Sequence, residues 1–159
     1  MEEPLLAANL VDPCYRAVDY EGIARARQPL SGSEVRAALR DNRLRGTLEE
    51  VEREFSAVLG SLEPEARGVF VVYRAVTGFY PTSQLGRRLA DRHPESIVVL
   101  VNRVRRLGSA YVYVQSKRFS LRAVLESARS TMRAGGKDEV LAVTCRSAAR
   151  RSWPSCRGS

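Results

Sequence analysis

The sequence predicts a mainly α-helical fold with one small β-hairpin, preceded by an N-terminal helical region. In most segments between residues 31 and 134, apolar side chains recur three and four positions apart, which is the spacing of one helix face. Only residues 111–114, Tyr-Val-Tyr-Val, alternate as a half-buried strand does. Glycines and prolines stand at the ends of the helical segments, where helices stop and start.

Composition excludes several classes of protein. The 159 residues are 44% hydrophobic and 28% charged, which is enough to form a core and argues against wholesale disorder. The chain contains no run of 18 apolar residues, and it begins with an acidic segment, MEEPLLAANLV. These features predict neither a membrane span nor a secretory signal. We therefore expect a soluble, cytoplasmic protein with no membrane partner.

The positive charge lies in the second half of the chain. Residues 1–63 carry 8 basic and 12 acidic side chains, a net charge of −4. Residues 64–159 carry 18 basic and 6 acidic side chains, a net charge of +12, and the two halves sum to the overall +8. All but two of these cations in the second half are arginines, whose planar guanidinium suits phosphates and guanine edges. This asymmetry favours a polyanion as partner.

Catalytic and metal-binding patterns are missing from the sequence. The three cysteines, Cys14, Cys145 and Cys156, form no CxxC pair, and His93 is the only histidine. Nucleotide-binding glycine loops, HExxH and GxSxG are also absent. We therefore predict no enzyme activity, no catalytic residue, no metal site and no cofactor.

Residues 1–62 are expected to form an acidic helical region. A short helix is predicted at residues 5–11. A second helix is predicted from an N-cap at Ser31 to a stop at Gly46.

A third helix is predicted over residues 47–62. Thr47 and Glu50 have the spacing of a capping box, in which each side chain would bond the amide of the other residue. Apolar residues then follow at the spacing of a coiled-coil seam: Leu48, Val51, Phe55, Val58 and Leu62. Such a seam fits either dimerisation or partner contact, or a helix packed on its own domain.

The next segment, residues 63–78, begins like a helix, with Pro64 in the first turn between two glutamates. Its apolar residues would form a wide buried stripe that ends at Gly78. Because VFVVY within it is rich in β-branched and aromatic residues, a strand is the alternative.

Residues 82–108 carry the pattern that matters most for function. Thr82 or Ser83 is expected to cap a helix that buries Leu85 and Leu89, and Gly86 would allow a second helix to cross closely. His93 and Pro94 are expected to end this helix, and the proline suits the first position of a second one.

On that second helix, a rotation of 100° per residue gathers an apolar face: Ile97, Leu100, Val101, Val104 and Leu107. The opposite arc is polar and basic, apart from Val98 and Val99, and Gly108 supplies the stop. Two helices joined by a short turn, the second with a basic outer arc, predict a helix-turn-helix. A buried strand at IVVLV is the alternative that would remove the motif.

A hairpin and a further helix are predicted next. The strand at residues 111–114 leads to a polar turn with Lys117 and Arg118, and a second short strand is expected around Phe119. Residues 122–134 then read as a helix.

The order helix, helix, helix, hairpin, helix over residues 63–134 resembles the winged-helix DNA-binding superfamily. The resemblance implies that the third helix lies in the major groove and that the hairpin, the wing, holds the adjacent backbone. It also implies that the protein binds duplex DNA as a transcriptional regulator, with residues 1–62 available for dimerisation or partner contact, in particular through 47–62.

Carried onto this sequence, the resemblance implies two sets of DNA contacts. The residues presented to the base edges would be Ser96, Val99, Asn102, Arg103 and Arg106. The residues that contact phosphates would be Arg87, Arg88, Lys117, Arg118 and Arg122.

Two other functions remain open at this point. Val98 and Val99 on the outer arc fit a protein interface better than a DNA groove, so a protein-interaction winged helix in a transcription or ribosome-associated complex is one alternative. An RNA-binding module is the other.

Residues 135–159 are predicted to be a basic, flexible tail. One apolar run in it, DEVLAVTC, could add a strand. The arginines beyond that run would raise nonspecific affinity for nucleic acid.

Overall fold

A six-stranded mixed β-sheet forms the centre of the fold. The computed structural model describes residues 12–17, 19–24, 40–131 and 133–146. The helices are α1 (Asn42–Ser61), α2 (Thr82–Arg92) and α3 (Arg122–Thr131), and the strands are β1 (Glu65–Arg67), β2 (Phe70–Thr77), β3 (Ile97–Val104), β4 (Ser109–Ser116), β5 (Ala134–Lys137) and β6 (Val140–Arg146). Two short helical segments, residues 12–17 and 20–24, precede α1, and a 3-10 turn (Arg105–Leu107) follows β3.

The strand order is β1-β2-β3-β4-β6-β5. β2 and β3 run parallel and are joined through α2, whereas every other neighbouring pair is antiparallel. A parallel pair requires such a crossover, and α2 supplies it. The prediction of a mainly α-helical fold is therefore wrong, because the fold is mixed α/β.

The helix predicted from Pro94 to Leu107 is replaced by strand β3 (Ile97–Val104) and the 3-10 turn after it, and the stripe at VFVVY falls mostly in strand β2. Val98, Leu100, Asn102 and Val104 of β3 are buried on one face of the sheet, and most of the intervening residues are half-buried on the other. A run that is apolar on both faces contains helical and strand spacings at once, so its periodicity does not separate the two structures. β-branched valines then favour the strand. No helix-turn-helix exists in this part of the chain.

The predicted hairpin wing is also wrong. β4 covers the expected strand, but it pairs with β3 and β6 rather than with a strand around Phe119. Phe119 lies in the bend between β4 and α3. The predictions of a helix after residue 122 and of a strand at DEVLAVTC are confirmed by α3 and β6. β5 and β6 thus belong to the sheet although they fall within 135–159, and residues 147–159 lie outside the described part.

Different helices pack on the two faces of the sheet. α2 packs on one face through Leu85 and Leu89, and the core there also receives the apolar side of α1. α3 packs on the opposite face through Leu125, together with Leu121 just before the helix, against strand β6. The sheet is therefore the middle layer of three.

Helix α1 begins earlier than expected. The Asp41 side chain accepts hydrogen bonds from the amides of Arg43 and Leu44, which makes Asp41 the N-cap. Gly46 lies inside the helix, and the Thr47 hydroxyl donates to the Arg43 carbonyl at 3.1 Å. The predicted stop at Gly46 and the capping box at residue 47 are therefore wrong.

The apolar seam of α1 packs against its own domain. Val51 is buried with Ala17 and Phe79, while Phe55 and Val58 contact the core under α2. The helix predicted at residues 5–11 lies outside the described residues, as does most of the helix predicted from residue 31.

Candidate nucleic-acid interface

The residues predicted to face DNA bases do not form one surface. Ser96 precedes β3, Val99 and Arg103 point to one face of the sheet, and Asn102 points to the other face. Arg106 lies beyond the strand in the 3-10 turn. Strand alternation separates side chains that a helix would have grouped.

Asn102 is a buried structural residue. Its Nδ2 donates to the hydroxyl of Thr82 at 2.8 Å and to that of Thr77 at 3.1 Å. The Thr77 hydroxyl donates in turn to the Phe79 carbonyl at 2.6 Å. These bonds fix the turn from β2 into α2, and they leave no part of the Asn102 amide for a ligand, because the residue is fully buried.

Arg106 holds the N-terminal segment and α1 against the sheet. Its guanidinium lies 4.4 Å from the centre of the Phe79 ring and donates to the Ala17 carbonyl at 3.1 Å. A carboxylate oxygen of Glu50 lies 3.7 Å away. These contacts give Arg106 a structural role.

Three of the five predicted phosphate contacts face carboxylates. Lys117 lies 2.6 Å from Asp91, and this contact lowers the pKa of Asp91. Arg118 pairs with Glu95, and Arg122 lies within 3.9 Å of Glu126 and Asp138. Arg87 and Arg88 are exposed on α2, without an ion pair to the described acidic residues.

Four tyrosines converge on a depression at one end of the sheet. Tyr15 and Tyr20 come from the N-terminal helical segments, Tyr80 from the turn before α2, and Tyr111 from β4. The depression measures about 310 Å³, and its remaining lining is Ile23, Leu107 and Thr144. Four of the six tyrosines of the chain thus meet at one place.

Two of these tyrosines form a fixed base and two project into solvent. The rings of Tyr80 and Tyr111 pack edge to face with centroids 4.5 Å apart. The amide of Tyr80 donates to the Arg16 carbonyl at 2.9 Å, which joins the base to the N-terminal segment. Tyr15 and Tyr20 are 63% and 75% exposed. We call this group of four the tyrosine cluster.

Tyr80 of the cluster is neutral, and an arginine backbone adjoins the lining of the depression. Burial raises the pKa of Tyr80, and the neighbouring phenols of Tyr111 and Tyr15 raise it further, so Tyr80 is uncharged at physiological pH. The backbone of Arg133 lies beside Thr144, a lining residue, because its carbonyl accepts a hydrogen bond from the Thr144 amide at 3.3 Å. Exposed aromatic rings beside arginines can stack with planar groups and attract anions.

A second, larger depression of about 770 Å³ lies between α1 and α2. Residues of the 12–17 segment line both depressions. Asp12, Pro13 and Arg16 line the larger one, and Tyr15 lines the depression of the tyrosine cluster. Arg87 and Arg88 lie on the α2 side of the larger depression. Two of the predicted phosphate contacts therefore line the depression next to that of the cluster. Of the predicted base contacts, Asn102 is paired with Tyr111 of the cluster, and Arg106 precedes the lining residue Leu107.

No pattern in the sequence marks the cluster itself. Its members are single tyrosines in four different segments, with no common spacing. Only the sheet and the packing of residues 12–24 bring them together.

Neither a metal site nor a membrane span is found among the described residues. No group of three or more histidine, cysteine, aspartate or glutamate side chains there could hold a metal ion. The described helices are too short or too polar to cross a membrane.

Comparison with known proteins identifies a fold likeness and no family. No family model matches the chain, and no curated protein matches it. The chain is similar to RecJ from Thermus thermophilus, solved in complex with Mg²⁺, with a TM-score of 0.58 and 19% identity over 89% of this chain. It spans only 25% of that RecJ chain.

Two further solved structures show weaker likenesses. One is the C-Ala domain of Aquifex aeolicus alanyl-tRNA synthetase, with a TM-score of 0.41 and 12% identity over 55% of this chain and 86% of that chain. The other is the pGpG-specific phosphodiesterase PggH from Vibrio cholerae, with a TM-score of 0.49 and 7% identity over 92% of this chain and 56% of that chain. At these identities, the likeness to RecJ concerns the fold alone.

Proposed function

We propose that this chain is a non-catalytic nucleic-acid-binding domain that binds single strands, with bases stacked on the tyrosine cluster. The observation that carries the proposal is the convergence of four tyrosines, two of them more than 60% exposed, on one depression. Base–aromatic stacking contributes about 1–3 kcal/mol per base and tolerates any sequence.

Charge supports the same ligand. Residues 64–159 carry a net charge of +12, which attracts the phosphate backbone. The backbone of Arg133 adjoins Thr144 in the lining of the cluster, and Arg87 and Arg88 line the neighbouring depression. Phosphates on either side of a stacked base would meet these cations.

A single strand is the form that the cluster fits. In a duplex the base faces are stacked on one another, so a tyrosine reaches them only after base pairs open. The helix that would have entered a duplex groove is strand β3. Duplex DNA therefore serves as the comparison ligand.

Fluorescence anisotropy tests the proposal with labelled single strands of about 15 nucleotides, as DNA and as RNA, and with a duplex of the same length. We expect the single strands to bind more tightly than the duplex, and the affinity to fall with salt by roughly 0.7 log units per log unit for each phosphate contacted. The double variant Tyr15→Leu/Tyr20→Leu should lose about five- to a hundredfold in affinity, which corresponds to one stacked base.

Matched variants separate stacking from folding and from charge. Tyr15→Phe/Tyr20→Phe retains both rings and should bind within about twofold of the parent chain. Arg45→Gln, an exposed change on α1, controls for overall charge. Tighter binding to the duplex, or equal binding by the leucine and phenylalanine variants, would show that the cluster is not the site.

A further inference from the structure

Among the described residues, no helix covers half of one face of the sheet. On the face that carries α3, the strand alternation of β2 and β3 presents one continuous row of side chains, which we call the open sheet face. Its members are Phe70, Val72, Arg74, Val76, Val99, Val101 and Arg103. α3 packs on the other half of this face, over β6.

The open sheet face is apolar and accessible. Phe70 is 44% exposed and Val76 is 56% exposed, although both are large apolar residues within a regular strand. Val99 and Val101, on the adjacent strand, are only half-buried. A contiguous apolar patch of this kind marks a protein contact more often than a free surface.

The dimensions fit one helix. Strands β2 and β3 lie about 4.8 Å apart and offer a strip roughly 10 Å wide, which widens to roughly 14 Å only where β1 adjoins the first three residues of β2. An α-helix with its side chains is about 10–12 Å in diameter. A helix placed there would lie beside α3 on the same face and would complete the covering layer.

The charges on the open sheet face favour a helix with acidic side chains. Four charged side chains lie on or beside the open sheet face: Arg67, Arg74, Arg103 and Glu65. Their sum is three positive and one negative, a net charge of +2. Glu65 is already bonded to Arg67 and Arg74, and this lowers the pKa of Glu65.

A second copy of the chain fits this face poorly. In a two-fold pairing, the same patch meets itself, so each copy would place its arginines near those of the other. Like charges opposed in this way disfavour association. An occupant with acidic residues beside an apolar stripe avoids this repulsion.

We propose that the open sheet face docks an amphipathic helix of a partner protein, with its apolar stripe on the valines and phenylalanine and its acidic flank beside Arg103. Recognition by such a helix uses apolar residues at i, i+3, i+4 and i+7. This surface lies on strands β1 to β3, on the opposite side of the sheet from Tyr111, and the proposal does not depend on nucleic-acid binding.

Two labelled peptides of about 18 residues test the proposal on the full chain. Both carry the same leucine stripe. One has glutamates beside the stripe and the other has lysines at the same positions. We expect the glutamate peptide to bind on the order of tenfold more tightly at about 0.1 M salt.

Variants place the peptide on the surface. Phe70→Thr/Val76→Thr keeps β-forming residues but removes the apolar contact, and it should weaken binding of the glutamate peptide by about tenfold. Arg103→Gln should reduce the preference for glutamate over lysine. Arg45→Gln changes a residue of α1, in the layer on the other side of the sheet. It should leave unchanged both the affinity for the glutamate peptide and the preference for glutamate over lysine.

Three results would overturn the proposal. One is equal or tighter binding of the lysine peptide. Another is binding that the threonine variant does not change, with circular dichroism showing that the variant is folded. The third is a dimer in sedimentation equilibrium that the threonine variant dissociates, since a second copy of the chain would then occupy the face.

Discussion

The ring of Tyr113 occupies the space where a side chain at Gly86 would lie. A Cβ placed on Gly86 would overlap the Cδ1 atom of Tyr113 and come within 2.9 Å of its Cγ atom. Tyr113 is 5% exposed, so its ring cannot move into solvent without opening the core. The glycine thus sets how closely α2 approaches β4, and the element that crosses it is a strand and not the helix expected from the sequence.

Gly86→Ala should therefore destabilise the chain by about 1–3 kcal/mol, as overpacking of a filled core does. Urea unfolding followed by circular dichroism measures the free energy of unfolding. Gly46→Ala is the matched control, because Gly46 lies inside α1 with open space around a Cβ, and the change should stabilise by about 0.5–1 kcal/mol. Equal effects of the two changes would contradict the close packing of α2 on Tyr113.

Two neighbouring glycines at the β5–β6 hairpin make a second matched pair. A Cβ on Gly136 would overlap the carbonyl oxygen of Val140 and lie 2.9 Å from its carbonyl carbon, whereas a Cβ on Gly135 meets nothing within 4 Å. Backbone atoms cannot move aside as the end of a flexible side chain does. Gly136→Ala should cost at least about 1–3 kcal/mol of unfolding free energy, and Gly135→Ala should change it by less than about 1 kcal/mol.

A reversed order, with the larger loss at Gly135, would mean that β5 pairs with β6 in a different register. Thermal unfolding of Gly135→Ala and Gly136→Ala under identical conditions shows which of the two loses more stability.

Substitutions at Asn102 and Arg103 test whether residues 97–104 form a strand or a helix. Asn102→Leu should destabilise by about 2–4 kcal/mol, because it leaves the buried hydroxyls of Thr77 and Thr82 without their amide partner. Arg103→Gln, on the exposed face, should change stability by no more than about 0.5 kcal/mol. On a groove-facing helix both side chains would be exposed and both changes tolerated, so two small effects in urea unfolding would speak for that arrangement.

Alkaline pH should weaken the fold through its buried tyrosines. Burial raises the pKa of Tyr73, Tyr80 and Tyr113 above the ordinary value of about 10. The folded state therefore holds these protons more tightly than the unfolded state does. The resulting stabilisation is complete below the unfolded pKa and is lost as pH rises through the folded pKa.

Unfolding free energies measured from about pH 8 to about pH 11 should fall with a steeper slope in the parent chain than in Tyr113→Phe, which retains the ring and cannot ionise. The loss of the Tyr113 hydrogen bond to Gln115, 3.0 Å long, shifts the whole curve of that variant and not its slope. Parallel slopes in the two proteins would contradict a raised pKa at this residue.

The elements predicted correctly are those with one periodicity. α3 has one buried side, marked by Leu121 and Leu125, and β6 is a short apolar run of strand length. β2 and β3 carry apolar residues on both faces, so Val98, Val99 and Leu100 satisfy helix and strand templates together. The pairing of β2 with β3 is a long-range contact, and no local pattern encodes it.

The candidate site was less accessible to sequence analysis than the fold. Arginines could be recognised as a class from the charge asymmetry, and two of them, Arg87 and Arg88, line the depression next to that of the cluster. The tyrosines come from separate segments between Tyr15 and Tyr111, and tertiary packing alone makes them neighbours. The basic half favours a polyanion as ligand, and the tyrosine cluster is the place where we propose that it binds.

The position of β6 between β4 and β5 has a consequence for synthesis of the chain. β4 cannot obtain its second neighbour until residue 146 has left the ribosome, because β6 is the last described strand and yet lies inside the sheet. Until then, β4 presents an unpaired edge, and α3 lacks the strand β6 against which it packs. During the interval in which α1 to β4 have emerged and β6 has not, the nascent protein therefore exposes a strand edge on which it can pair with other chains.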